Sequence, residues 1–169
     1  SFCRIVAGPF GACVGGAGRS LVVEHSHLSS ATGACVIWAT TIESVKITQC
    51  LLEGRFAIFV RAATEGTRST NLDLEYNTIT SDRMLHMVTA WNMTRTLVVK
   101  ASRNLFDNQV VVSLFSLGGL QQTAGAVTRM SEMLGEAVAW HDEQNVYRKG
   151  TYYLAANPRQ RPLGILPSN

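Results

Sequence analysis

Seven or so short runs rich in β-branched and aromatic residues, bounded by turn signals, stand against a single stretch of helical period. Together they predict a mainly-β chain, an antiparallel β-sandwich with one helical insertion near the C-terminus. Composition agrees with a packed core: 46% of the 169 residues are hydrophobic and only 16% charged, against roughly 25% charged in an average soluble domain. A chain of this length is expected to form one domain and to bury about 70% of its unfolded surface.

Taken in order, the glycine-rich stretch Gly8 to Gly18 is too permissive to hold a regular element, and residues 1–19 read as a flexible arm. No GK[ST] follows it, so it is not read as a phosphate loop. The sandwich is expected over residues 20–157. Leu21 to Val23 opens a strand, and Cys35 to Trp38 forms an apolar, β-rich run. From Ile42 to Gln49 the pattern alternates, with Val45 and Ile47 on one side and Lys46 and Thr48 on the other. Glu53-Gly54 marks a turn, and Arg55 to Arg61 is a strand apolar on both faces. Ser81-Asp82 reads as the cap of a short helix through Met84, Leu85, His86 and Val88. Thr96 to Lys100 and Gln109 to Phe115 read as strands around a turn at Arg103 to Asn108. Leu120 to His141 carries the helical period, with Leu120, Ala124, Val127, Leu134 and Val138 near one stripe. Tyr152 to Leu154 is the last strand, and residues 158–169 form an extended tail. No internal repeat of 20 to 50 residues is visible.

Charge is unevenly placed. Residues 1–143 hold 11 basic and 12 acidic side chains, while Arg148, Lys149, Arg159 and Arg161 follow with no acid. Such a tail offers weak, salt-sensitive attraction to phosphates or to an acidic neighbour. No apolar run reaches the length of a membrane-spanning helix, so no membrane span is expected. Cys3, Cys13, Cys35 and Cys50 lack the close CxxC pairs of a structural zinc site and read as free thiols.

The local feature closest to chemistry is Glu24-His25-Ser26-His27. Two histidines at i and i+2 share one side of a strand, so His25 and His27 are the candidate metal ligands of an alternative reading. That reading is a cupin-like metal-dependent enzyme or small-molecule-binding β-sandwich. The chain lacks the glutamate expected soon after the second histidine, where Ala31 and Thr32 stand. Carboxylates such as Asp73 with Glu75, and Asp142 with Glu143, read as solvated surface. There is no GxSxG elbow and no HExxH, and no catalytic residue is assigned.

Leu21 to Gly33, LVVEHSHLSSATG, resembles the opening shell strand of coat proteins from small icosahedral RNA viruses of the sobemovirus and tombusvirus type, with Val23, His25, Ser26, Leu28 and Ser29 at matching places. The following TTIESVKITQCLLEGRFAIFVRAA looks like the next two shell strands. The resemblance implies a jelly-roll sandwich that assembles with copies of itself into a closed shell and packages RNA, found in the virion and, during assembly, in the host cytoplasm. Arg4, Arg19, Arg148, Lys149, Arg159 and Arg161 are then the candidate RNA or inter-subunit contacts. No cofactor is implied, and structural calcium between neighbouring carboxylates is left open.

Overall fold

A computed structural model of the chain describes residues 3–8, 12–16, 19–38, 43–61, 70–89, 97–116, 138–156 and 164–165. Among them lie fourteen strands and no helix: β1 (Cys3–Ala7), β2 (Ala12–Gly16), β3 (Ser20–Glu24), β4 (Ser26–Trp38), β5 (Ser44–Thr48), β6 (Leu51–Arg61), β7 (Thr70–Glu75), β8 (Thr78–Thr89), β9 (Leu97–Ser102), β10 (Leu105–Ser116), β11 (Val138–Glu143), β12 (Val146–Tyr147), β13 (Tyr152–Ala156) and β14 (Gly164–Ile165). The short sheet has the order β11-β9-β7-β5-β3. The long sheet has the order β1-β4-β6-β8-β10-β13-β14, with β2 beside β4 and β12 beside β10. Among the described residues only the β13–β14 pair is antiparallel; the other pairs are parallel.

The architecture is therefore a parallel β-solenoid, which overturns the expected antiparallel jelly-roll sandwich. Each rung runs from a short-sheet strand through a corner into a long-sheet strand, and the next rung stacks on it in register. The physical reason for the error is that alternation has period 2 in strands of either direction. It says which face is buried and nothing about which way a neighbour runs. Val45 and Ile47 are indeed fully buried, with Lys46 exposed.

The helical expectations fail on described ground as well. Met84, Leu85, His86 and Val88 lie on strand β8, and Val138 to His141 lie on β11. The rest of the expected helix, residues 120–137, lies outside the described residues. Within the stretch read as a flexible arm, β1 and β2 pair with β4 and add a further layer to the long sheet.

A repeat is present in space. Val45, Leu72 and Val99 are register partners 27 residues apart, and so are Ile47, Leu74 and Ala101. At the corner between sheets each rung places a non-glycine residue at positive φ: His25, Gln49, Tyr76, Arg103 and Gln144, separated by 24, 27, 27 and 41 residues. This left-handed conformation costs of the order of 1 kcal/mol per residue, offset by contacts repeated from rung to rung. Backbone bonds run through the corner, as in Gln49 N–H to Glu75 O (3.0 Å) and Tyr76 N–H to Ser102 O (3.2 Å).

The residue after each corner points inward, and in three successive rungs it is asparagine: Asn77, Asn104 and Asn145. Their amides form a buried ladder. Asn77 Oδ1 accepts from Cys50 N–H (2.9 Å), Asn104 Oδ1 from Asn77 N–H (2.9 Å) and Asn145 Oδ1 from Asn104 N–H (2.7 Å). The Nδ2 groups donate to the carbonyls of Ile47, Leu74 and Ala101. The network satisfies both the side-chain amides and the corner backbone, as buried polar groups require.

Apolar columns fill the interior beside this ladder, among them Leu28, Leu52, Ile79 and Phe106 from the long sheet, all fully buried. Further along the long sheet Ser30, Gly54, Ser81 and Asn108 stack as register partners. A Cβ at Gly54 would lie 2.5 Å from Ser30 O, so only glycine lets the rungs approach there.

Candidate ligand-binding cleft

Beside this column the last rung departs from the pattern. Tyr147 pairs with Phe106 and Tyr152 with Val110, so four residues, Arg148 to Thr151, span what three residues span in the rung below. The extra residue is taken up in a turn: Thr151 N–H donates to Arg148 O (3.1 Å), and Gly150 has φ +85°. A β-turn with positive φ at its third position calls for glycine. The turn is tied to the rung below by Arg148 N–H to Phe106 O (2.9 Å) and Thr151 Oγ1 to Asn108 O (2.7 Å).

Between this turn and β10 lies an open cleft of about 340 Å³, lined by Asn108, Gln109, Val110, Arg148, Lys149, Gly150 and Tyr152. Gln109, Arg148, Lys149 and Tyr152 are exposed. Asn108 is completely buried; its Nδ2 donates to Ser81 Oγ (2.6 Å) and Ser81 O (3.2 Å), while its Oδ1 has no hydrogen-bond partner. A buried acceptor left in this way costs about 1–3 kcal/mol. Arg148 Nη1 approaches Asp107 Oδ1 at 3.4 Å with both side chains largely exposed, a pair of little energetic weight.

Of the residues expected to make RNA or subunit contacts, the fold brings only Arg148 and Lys149 together. Arg4 is exposed on β1 beside His27, and exposed Arg19 precedes β3. Arg159 and Arg161 lie outside the described residues. His25 occupies the left-handed corner between β3 and β4, so it and His27 do not share one strand. His27 is engaged elsewhere, with Nε2 2.6 Å from Glu53 Oε2. Among the described residues no group of three or more His, Cys, Asp or Glu is placed to hold a metal. No helix among them is long and apolar enough to cross a membrane. The four cysteines are free, and burial pushes the Cys35 thiol up to about 12.

The other concentration of polar chemistry is closed. His86 is 5% exposed, with Nδ1 2.8 Å from Ser113 Oγ and its ring stacked on Phe56 at 4.5 Å. Burial first, and then the Arg83 and Arg55 guanidinium groups, lower its pKa from 6.5 to about 4. Because the folded state resists protonation, the unfolded chain binds the extra proton between these values. Stability is thus full above pH 6.5 and is lost as the pH falls toward 4, by about 3 kcal/mol in all. Urea midpoints measured across that window are expected to fall with acidity, and His86→Gln is expected to flatten the slope.

Sequence reasoning found the two cations of the cleft and missed Asn108, Gln109 and Tyr152. The available signal was Lys149-Gly150, a turn dipeptide directly after a strand. Fold and site together define a parallel β-solenoid with a polar cleft where its last rung bulges. No protein-family model matches the chain, and comparisons with curated proteins and with solved structures give no match.

Proposed function

We propose that this chain is a solenoid binding module that holds a hydroxyl-rich ligand, a glycan, in the cleft beside Arg148 to Tyr152. The observation that carries the reading is the open cleft itself, in which exposed Gln109, Arg148, Lys149 and Tyr152 converge beside the bulged turn. Gln109 adds both a donor and an acceptor, and the exposed Tyr152 offers an aromatic surface with a polar tip.

Binding is favoured over catalysis by the lining itself. None of its seven residues is a carboxylate, imidazole, serine or thiol, and the two side chains of acid–base or nucleophilic type that it does hold, Lys149 and Tyr152, are both exposed. Assembly into a shell that packages RNA drew its support from a jelly-roll resemblance, and parallel rungs withdraw that support.

Calorimetric titration with a panel of neutral and acidic oligosaccharides tests the reading. Saturable binding is expected, weakened about tenfold by Tyr152→Ala with thermal unfolding little changed. Failure of every glycan in the panel to bind would contradict it.

A further inference from the structure

Two of the four free thiols stack on successive rungs. Ala12 pairs with Ala34 and Val14 with Val36, which sets Cys13 directly across from Cys35 on the neighbouring parallel strands β2 and β4. The two side chains repeat one environment a rung apart. Cys13 Sγ lies 3.6 Å from Ile5 O on its own rung and 3.2 Å from Ser29 O on the next. Cys35 Sγ lies 3.4 Å from Leu28 O and 3.3 Å from Glu53 O, and Ile5 is the register partner of Leu28 as Ser29 is of Glu53. Both sulfurs therefore face the same way, toward the core that Cys35 joins and Cys13 packs against.

We propose that Cys13 and Cys35 close into a cross-strand disulfide under oxidising conditions and so staple β2 to β4. Neighbouring strands stand about 4.8 Å apart, within the roughly 4.4–6.8 Å between Cα atoms that a disulfide bridges. The usual Cβ separation of a disulfide is about 1 Å shorter than the rung spacing. β2 is free to draw in by that much, because among the described residues no strand lies on its outer side. The remaining two thiols do not meet this condition. Cys3 is the register partner of Ser26, and the pairing of His27 with Leu51 sets Ser26 one rung from Cys50. Two rungs separate Cys3 from Cys50, beyond the roughly 7 Å that a disulfide tolerates.

The oxidant is a small-molecule disulfide such as oxidised glutathione. The Cys13 thiolate attacks one of its sulfurs, forming a mixed disulfide and releasing one glutathione thiolate. Cys35 then gives up its proton and attacks the Cys13 sulfur, and the second glutathione thiolate leaves. Two protein thiols are oxidised to one disulfide, and one glutathione disulfide is reduced to two thiols. Cys13 goes first because it is only partly buried, whereas Cys35 has no exposed surface. Burial, and after it the neighbouring Cys13 thiol, push the Cys35 thiol up to about 12, so the closing step is the slow one and quickens as the pH rises.

The test uses the whole chain, reduced and then equilibrated at about pH 8 with graded mixtures of reduced and oxidised glutathione. Arg4, Arg19 and Lys46 separate the four cysteines, so trypsin leaves each in its own peptide and the cross-link is read by mass. Peptides 5–19 and 20–46 are expected to appear joined, in monomeric protein lighter by two hydrogens. The thermal midpoint is expected to rise by about 5–10 °C, and dithiothreitol to reverse both changes. Cys13→Ser is expected to lose the cross-link and the rise while its midpoint stays near that of the reduced wild type, an outcome that misfolding does not mimic. Glutathione adducts without a cross-link, or a cross-link between any other pair, would overturn the inference. A Cys13–Cys35 bond that leaves the midpoint unchanged or lowers it would overturn the stapling of β2.

Discussion

Replacing Asn104 with alanine is expected to lower the free energy of unfolding by about 3–5 kcal/mol, read as a fall in the urea midpoint at constant slope. The side chain sits in the middle of the asparagine ladder, and both its ends are in use. Nδ2 donates to Leu74 O (3.0 Å), to Ser102 O (3.0 Å) and to Asn145 Oδ1 (2.9 Å). Oδ1 accepts from the backbone N–H (2.9 Å) and Nδ2 (3.0 Å) of Asn77. Alanine removes these at once and leaves the buried Asn77 N–H without its acceptor. Each stranded buried group costs about 1–3 kcal/mol. Asn104→Asp is expected to be no milder, because it keeps the acceptor, loses both donors and places a carboxylate in a site built for a neutral amide. Arg103, one residue earlier, stacks over Tyr76 and bonds its hydroxyl at 2.6 Å on the exposed side of the same corner. Arg103→Ala is expected to change stability far less, so the comparison separates the inner ladder from the outer one.

Phe106→Ala is expected to cost a similar amount, about 3–5 kcal/mol, and to reach the cleft as well as the core. Phe106 is fully buried, with Ile79 as its register partner in the rung below and Tyr147 in the rung above. Its ring stacks on Tyr147 at 5.0 Å and meets Trp140 at 6.3 Å, and Trp140 in turn meets Tyr153 edge-on. These side chains close the apolar column at the last rung. Tyr147 also donates its hydroxyl to Asp142, and burial with that bond raises its pKa. Removing the Phe106 ring opens a cavity beneath Tyr147, the residue from which the cleft turn departs. The expected signature is a loss of aromatic near-UV circular dichroism together with weaker glycan binding. Phe106→Leu, which refills most of the volume, is expected to restore both.

Much of the strand content was legible, and for a simple reason: burial of alternate side chains leaves the same trace in any sheet. The run Ile42 to Gln49 encloses β5, and Gln109 to Phe115 falls within β10. Strand direction was not legible. The parallel stacking is specified at the corners, by a left-handed residue followed by an inward polar side chain, and that signal is two residues long. Gln49-Cys50, Tyr76-Asn77, Arg103-Asn104 and Gln144-Asn145 share an asparagine in three of four cases but vary at the left-handed position, so the common backbone is hard to see in the letters. Segments of unequal length between rungs blurred the period further.

The short apolar run from Met84 to Val88 misled for a different reason. Met84 to Met87 are buried on consecutive positions, and such a run fits one side of a helix as well as a strand buried on both faces. In the cleft the cations stood out by charge. Asn108 did not, because its contacts with Ser81 and Thr151 arise only once the rungs are stacked.

Methyl–methyl nuclear Overhauser contacts in protein labelled at Ile, Leu and Val report whether the middle rungs stack in parallel at a 27-residue step. The account predicts contacts between Val45 and Leu72, Leu72 and Val99, Ile58 and Leu85, and Leu85 and Val112. A set of contacts in which one partner's number rises as the other's falls, as antiparallel neighbours give, would contradict it.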